Sequence, residues 1–393
     1  MDVHVCLLSD QLLANVIPFL QEGPSGVALV VTPEMASRPH AERLRRFFEE
    51  RATRVESYHD APSAGLNEIL AYASQLAGDL QDHFGPDARF VLNATGGTKL
   101  MALGFTVAFQ QAFPEDKLRI IYADTQHGQI ETIVPTAAGP TVMENVLDVP
   151  TCLQVQGAQY RRARSDDSEW IERAAARRST TLCLARDAAK LADFFGILNA
   201  AVDSALSPHG KLVAPKQPLP RPPKGLWMEA MKLCAKAGVL EWNPGQSDLR
   251  FTCAEGAQYV RGGWLEEFVW LAANDCAPFD SRSGVTVTWE SEQKRDAPRN
   301  EFDLACVHRN RMLLVECKTQ KKASMQSEDL SSILYKFDSL ARAAGGVLVT
   351  KWLVTVNELS PRGSERARQN DIKVLTGPDL RYFRDAVRAW MLA

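Results

Sequence analysis

Six short runs rich in β-branched residues, most of them separated by longer amphipathic stretches, occupy residues 1 to 135 and leave few folds open. They are VHVCLL (3 to 8), GVALVV (26 to 31), RVESY (54 to 58), RFVLN (89 to 93), KLRIIYA (117 to 123) and QIETIV (129 to 134). Strands that alternate with helices build βαβ units, whose parallel sheet is covered by those helices. The last two runs are separated only by DTQHG, too short for a parallel crossover, so they are expected to form an antiparallel hairpin at one edge. The expectation is a Rossmann-like α/β layer that ends in a β-hairpin.

A chain of 393 residues is longer than one hydrophobic core usually organises, so more than one domain is expected. The formal charge of -3 gives the whole molecule no pull toward nucleic acid, and any such binding needs a local basic surface. Eight cysteines lie scattered, with no C-x-x-C pair for zinc and no dense disulfide framework, which fits a reducing cytoplasm. The start MDVHVCLLSD runs directly into a strand pattern without a leader-like basic and apolar region, and no later stretch suits a bilayer. A soluble, cytoplasmic protein is expected.

Residues 155 to 204 read as helical, and SPHGKLVAPKQPLPRPPKG (207 to 225) reads as an extended, proline-rich connector. GLWMEAMKLCAKAGVLEW, followed by NPGQSD and LRFTC, suggests a small helix-and-wing element. Beyond it we expect a helix at 263 to 274, strands at 284 to 290, 301 to 307 and 311 to 319, a helix at 327 to 344, the strand GVLVTK and a final helix. The basic stretches RPPKG, KTQKK and PRGSERAR could meet phosphate, although most charge runs are solvated surface.

The loop NATGGTK (93 to 99) follows one expected strand and opens an expected helix, where free backbone N–H groups favour anions. Gly96 and Gly97 permit close approach of backbone to a ligand, Thr95 and Thr98 offer hydroxyls, Asn93 an amide, and Lys99 a point charge for phosphate. It is not a Walker A loop, because Thr98 precedes Lys99 and a leucine follows. A plain strand-to-helix turn with a threonine cap accounts for the same residues. The loop SDQLLAN (9 to 15) reaches the same end of the sheet, with Ser9 and Gln11 as candidate ligand contacts or as parts of an ordinary N-cap.

MLLVECKTQ (312 to 320) is an apolar strand that accepts Glu316 and Lys318. If Arg309 and Asn310 form a two-residue hairpin loop, His308 pairs with Arg311, Asp303 faces Glu316 and Glu301 faces Lys318. Opposed carboxylates with Cβ atoms about 5 Å apart repel unless a proton or a cation intervenes. Hard oxygen donors of this kind suit Mg²⁺ or Mn²⁺, with Lys318 steadying negative charge and the backbone carbonyl of Cys317 a further ligand. A half-exposed hairpin with a Glu301–Lys318 salt bridge is the structural alternative.

On these residues, EFDLACVHRNRMLLVECKTQ resembles the core of the PD-(D/E)xK nucleases, the restriction-endonuclease-like fold, with Phe302 where a proline is expected. GGWLEEFVW (262 to 270) resembles the helix that carries a further acid in that fold, which places Glu266 at the metal, with Glu267 the adjacent alternative. With NATGGTK and the doubly wound first layer, the order of parts resembles CRISPR ancillary nucleases that join a CARF sensor domain to a PD-(D/E)xK domain. The resemblance implies a CARF domain at 1 to 148 and a nuclease domain at 259 to 393; residues 149 to 258 match it less distinctly and are read as a mostly helical connector with a proline-rich linker and a winged-helix-like element. It further implies a homodimer that binds a cyclic oligoadenylate, the tetra-adenylate above all, and a metal-dependent endonuclease of type III CRISPR antiviral defence that cleaves or nicks DNA, with single-stranded RNA a further substrate of some members. A ligand-sensing transcription regulator is the alternative, with a nuclease that needs no activator as a third reading.

Overall fold

The computed structural model describes residues 1–52, 54–289, 300–319 and 328–393. Contacts divide the chain into two compact units, Met1–Ala158 and Gln159–Ala393. The expected strand end at residue 290, the helix start at 327 and the basic run beyond Thr319 lie outside the described residues.

The first unit holds β1 (Asp2–Leu7), β2 (Gly26–Val30), β3 (Arg54–Tyr58), β4 (Arg89–Asn93), β5 (Leu118–Asp124), β6 (Gln129–Val134) and the short β7 (Thr141–Val142), in the spatial order β3-β2-β1-β4-β5-β6-β7. All six expected strands are present, and β5 and β6 pair antiparallel across the short loop. The reading missed only the two-residue edge strand β7. The buried face of helix Leu66–Phe84 repeats at helical spacing through Ile69, Ala73, Leu76, Ala77 and Leu80. Gly104 lets helix Lys99–Ala112 pack against it, since a Cβ there would lie 2.5 Å from Ile69. Strand order reverses between β1 and β4, and such a switch point opens a crevice at the carboxyl ends of the strands.

The second unit adds β8 (Ala158–Arg162), β9 (Lys216–Pro218), β10 (Leu240–Glu241), β11 (Asp248–Phe251), β12 (Asp280–Trp289), β13 (Asn300–His308), β14 (Arg311–Lys318), β15 (Val349–Thr355) and β16 (Ile372–Leu375). Six of them form a sheet in the order β16-β15-β14-β13-β12-β8, and β10-β11-β9 form a small sheet beside helix Leu226–Lys236. Helices Ser168–Arg186 and Ala188–Ala205 share one core with the large sheet. Phe195 stacks on Trp264 at 4.6 Å between ring centres within it.

Three local readings differ from the sequence expectation. The stretch 155 to 204 opens with a strand, β8, because Tyr160, Arg161 and Arg162 make a polar edge that lacks the apolar alternation of an inner strand. The proline-rich connector supplies β9, an edge position where proline is tolerated. The last strand and helix resolve into β15, helix Pro361–Gln369, the four-residue β16 and helix Phe383–Leu392. Pieces this short leave little periodicity to read.

Candidate active site and ligand-binding loop

The β13–β14 hairpin has the register expected from the sequence: His308 pairs with Arg311 and Leu304 with Val315. Arg309 and Asn310 carry φ of 49° and 57°, the left-handed pair that a two-residue I′ turn demands. The paired ladder stops one step before Asp303 and Glu316. There the Asp303 carboxylate itself accepts the backbone N–H of Cys317 at 2.7 Å.

Because β14 lies between β13 and β15, its alternate residues Val315 and Cys317 enter the core. Glu316 and Lys318 share the other face, with side chains 19% and 24% exposed. Lys318 donates to Glu316 at 2.5 Å. Burial, then the charges of Glu316 and Glu266, push the Asp303 carboxyl well above its ordinary range, while Lys318 and the Cys317 N–H pull it back. Burial alone would lower the Lys318 pKa, but Glu316 and Asp303 raise it, so the ammonium stays charged. The Cys317 thiol is pushed well up by burial and the neighbouring acids, which leaves only its backbone as a candidate ligand.

Glu266 comes from the first turn of helix Trp264–Asn274, where the helix dipole favours an acid. A kink at Gly262 sets the start of that helix beside the end of β14, where the Thr319 hydroxyl donates to the Arg261 carbonyl at 2.8 Å. Glu267 points elsewhere: it is buried, accepts from Arg177 at 2.6 Å and from Thr181 at 2.6 Å, and belongs to a packing network. Glu301 does not meet Lys318 as the extended register implies. It accepts instead from Arg164 at 2.7 Å, and Arg164 also forms an ion pair with Glu266.

Among the described residues, no three His, Cys, Asp or Glu side chains converge on one point as metal ligands. The candidate carboxylates are engaged by Arg164, by Lys318 and by the Cys317 N–H. The donor set nonetheless suits a hard divalent cation, because Glu266, Asp303 and Glu316 all offer carboxylate oxygens and the charges of Glu316 and Glu266 both push the Asp303 carboxyl up. A cleft of about 880 Å³ opens beside them, lined in part by Arg164, Trp170, Arg173, Tyr259, Arg261 and Lys318. Arg164 was missed by the sequence reading, since it lies in a stretch taken for helix and only tertiary folding brings it here, and Glu301 was expected against Lys318 rather than against Arg164.

In the first unit, the loop after β4 and the loop after β1 meet at the carboxyl ends of neighbouring parallel strands. Asn93 is buried; it donates to the Ala14 carbonyl at 2.9 Å and to Asn15, and accepts from the Thr95 N–H and hydroxyl. The Thr95 hydroxyl also accepts the Ala123 N–H at 2.7 Å. These two residues therefore shape the loop and present no free group at its surface. Gly96 sits against β1, where a Cβ would lie 1.8 Å from the Leu7 carbonyl, and Gly97 has φ of 71°. Thr98 caps helix Lys99–Ala112 and also donates to the Ser63 carbonyl at 3.0 Å, while Lys99 is exposed at the first helical position. Ser9 accepts the Gln11 N–H at 3.4 Å, with Gln11 exposed on the rim.

Residues 3–150 match the model of the Card1 CARF domain, and residues 253–393 match that of the Card1-like endonuclease domain. The chain joins a CARF domain to a Card1-like endonuclease domain. Its fold resembles that of Can2 from Sulfobacillus thermosulfidooxidans, solved in complex with cyclic tetra-adenylate, with 23% identity, 100% of both chains covered and a TM-score of 0.73. Protein VC1899 from Vibrio cholerae is similar at 18% identity, 100% of this chain and 98% of that one, with a TM-score of 0.81. A type III CRISPR defence DNA nuclease activated by cyclic oligoadenylate is similar at 18% identity and a TM-score of 0.56, over 96% of this chain and 48% of that one. No curated protein matches the sequence. The endonuclease match spans β12 to β16 and the acids they carry, which favours a nuclease over a transcription regulator. No described helix is long and apolar enough to cross a membrane.

Proposed function

We propose that the chain is a metal-dependent endonuclease of type III CRISPR defence, active in the cytoplasm as a homodimer and switched on by a cyclic oligoadenylate, the tetra-adenylate above all. The reading is carried by Asp303, which accepts the Cys317 N–H at 2.7 Å and whose carboxyl is pushed up by burial and by the charges of Glu316 and Glu266, beside the Lys318–Glu316 pair in an endonuclease domain. Glu266, Asp303 and Glu316, with the Cys317 carbonyl, would hold Mn²⁺ or Mg²⁺. Such an ion polarises a scissile phosphate and lowers the pKa of a bound water. Lys318 holds a positive charge next to the acids, where negative charge develops on the phosphate. Arginines along the cleft give a polyanion an electrostatic path, and DNA and RNA both carry the phosphate it needs.

In the CARF domain, the N-terminus of helix Lys99–Ala112, the Gly96–Thr98 backbone and Lys99 suit a ring of phosphates, with Ser9 and Gln11 on the rim. Leu100, Leu103 and Val107 are 41%, 61% and 43% exposed on this helix, and Leu66 is exposed beside them. A second copy covering this stripe would place two loops about one two-fold axis. The likeness to a cyclic tetra-adenylate complex and to a DNA nuclease activated by cyclic oligoadenylate supports the choice of ligand.

The test incubates plasmid DNA, or RNA, with Mn²⁺ or Mg²⁺, with and without cyclic tetra-adenylate, alongside Glu316→Ala. Cleavage is expected only with both metal and activator, and not in the variant. Undiminished cutting by Glu316→Ala rejects the centre, and equal cutting without the activator reduces the CARF domain to a scaffold.

A further inference from the structure

We propose that Arg164 is the resident counter-cation of the acidic centre, a positioning residue that holds Glu266 in an ion pair and must release it before the centre loads a divalent ion. The inference rests on the metal-nuclease reading above and adds to it what sets the affinity for the metal.

Arg164 opens a short turn directly after β8, and the turn is fastened to β12 rather than left to the solvent. Asp166 accepts from the Ala163 N–H at 2.7 Å and from Arg282 at 2.8 Å, and the Ser165 hydroxyl accepts the Ser283 N–H at 3.0 Å. The next residue of β12, Gly284, has φ of 61° in the middle of a ten-residue strand. A Cβ there would lie 2.6 Å from the Arg164 Cγ, so the strand is hollowed where the arginine stem crosses it. Glycine in a strand interior is unfavourable by itself, and the crossing stem accounts for it here.

The guanidinium ends between two elements, bonded to Glu266 from the helix and to Glu301 from β13, with the Asp303 charge also acting on it. A guanidinium does not deprotonate in a protein, so it leaves an acid only by moving away. The side chain is 41% exposed, which gives it room to swing into the cleft while its anchored turn stays in place. Arg177 is the contrast: its side chain is 10% exposed and its partner Glu267 1%, which fixes that pair in the packing. A divalent cation on Glu266 and a guanidinium on the same carboxylate repel each other, so the two compete.

Calorimetric titration of Mn²⁺ into the full chain without activator tests this with Arg164→Gln, with Arg164→Met as a second neutral variant that keeps the stem over Gly284, and with Arg164→Lys. Both neutral variants are expected to bind Mn²⁺ at least tenfold more tightly than the native chain, and the lysine variant to stay within threefold of it. Metal-free melts should show the neutral variants less stable than the native chain, with the difference closing when Mn²⁺ is added; a purely structural role lowers both melts alike. Unchanged or weaker Mn²⁺ binding in the neutral variants overturns the proposal, while Asp303→Asn still abolishing binding keeps the metal reading intact. No Mn²⁺ binding in any of these proteins overturns both.

Discussion

The CARF loop at Asn93–Lys99 and the acidic centre around Asp303 are both polar sites at the ends of strands, yet opposite kinds of force hold them. The loop is closed by neutral hydrogen bonds, as Asn93, Asn15 and Thr95 satisfy one another and the backbone. What it presents outward is main chain and one lysine. In the nuclease unit the acids are held by charge, through Lys318, Arg164 and a single backbone N–H. Neutral, fully paired networks resist rearrangement, whereas ion pairs exchange when a stronger cation or a polyanion arrives. A pre-shaped receptor and a centre whose partners can be replaced suit sensing and chemistry respectively.

The sharpest way to break this contrast is to exchange the charge states of the two sites. Asp303→Asn keeps an acceptor for the Cys317 N–H but removes the charge, so cleavage should fall by about a hundredfold or more while the metal-free melting temperature holds or rises. Asn93→Asp does the reverse: it buries a charge and removes the donor to the Ala14 carbonyl, and the protein should lose roughly 3 kcal/mol or more. Denaturation curves and cleavage rates of the two variants check this. A destabilised Asp303→Asn or a well-folded Asn93→Asp would show that the sites are held alike.

Glycine substitutions separate them next. In Gly96→Ala the new Cβ meets backbone, the Leu7 carbonyl, and nothing there can yield, so a loss of about 3 kcal/mol is expected together with loss of activator binding. In Gly284→Ala it meets the flexible stem of Arg164, leaving mainly the penalty for positive φ, about 1–2 kcal/mol. Urea denaturation of both variants measures the gap.

How much of this was legible in the sequence follows the same division. Period-two runs and a short hairpin connection were enough to place β1 to β6, and the two-residue turn at Arg309 and Asn310 was enough to set the hairpin register as far as Leu304 and Val315, one step short of Asp303 and Glu316. Both are local signals. Arg164 could not be found that way, because it stands 139 residues before Asp303 and its role depends on the edge strand β8 being laid beside β12. Asn93 shows the converse: its residue type suits ligand binding, but burial turns it inward. Sequence spacing reports which groups share a face, and only packing decides which of them remain free.

The pH dependence of the acidic centre gives a smaller, graded test. The folded-state pKa of Asp303 is raised, so its stabilising contribution is fully present below the ordinary carboxylate value and is lost as pH rises through the folded one. Metal-free stability should therefore decline across that window, an effect that Asp303→Asn removes. Since a bound proton and a cation compete for the same oxygens, Mn²⁺ affinity should rise over the same interval. Melting curves and titrations at stepped pH report the two trends, and parallel rather than opposite trends would contradict the geometry.

The smallest expected effect lies in the loop. Lys99 is exposed and supplies its only outward charge, while the backbone N–H groups of the helix N-terminus and the capping Thr98 remain when it is removed. A point charge at a helix N-terminus adds on the order of 1 kcal/mol to anion binding, so Lys99→Ala should weaken cyclic tetra-adenylate binding by roughly fivefold and shift the activator concentration needed for cleavage equally. The neutral network beneath it is untouched, so the melting temperature should stay where it is. A shift of a hundredfold or more would mean that the loop, like the acidic centre, is organised by charge; the opposition between the two sites would then collapse into one mechanism.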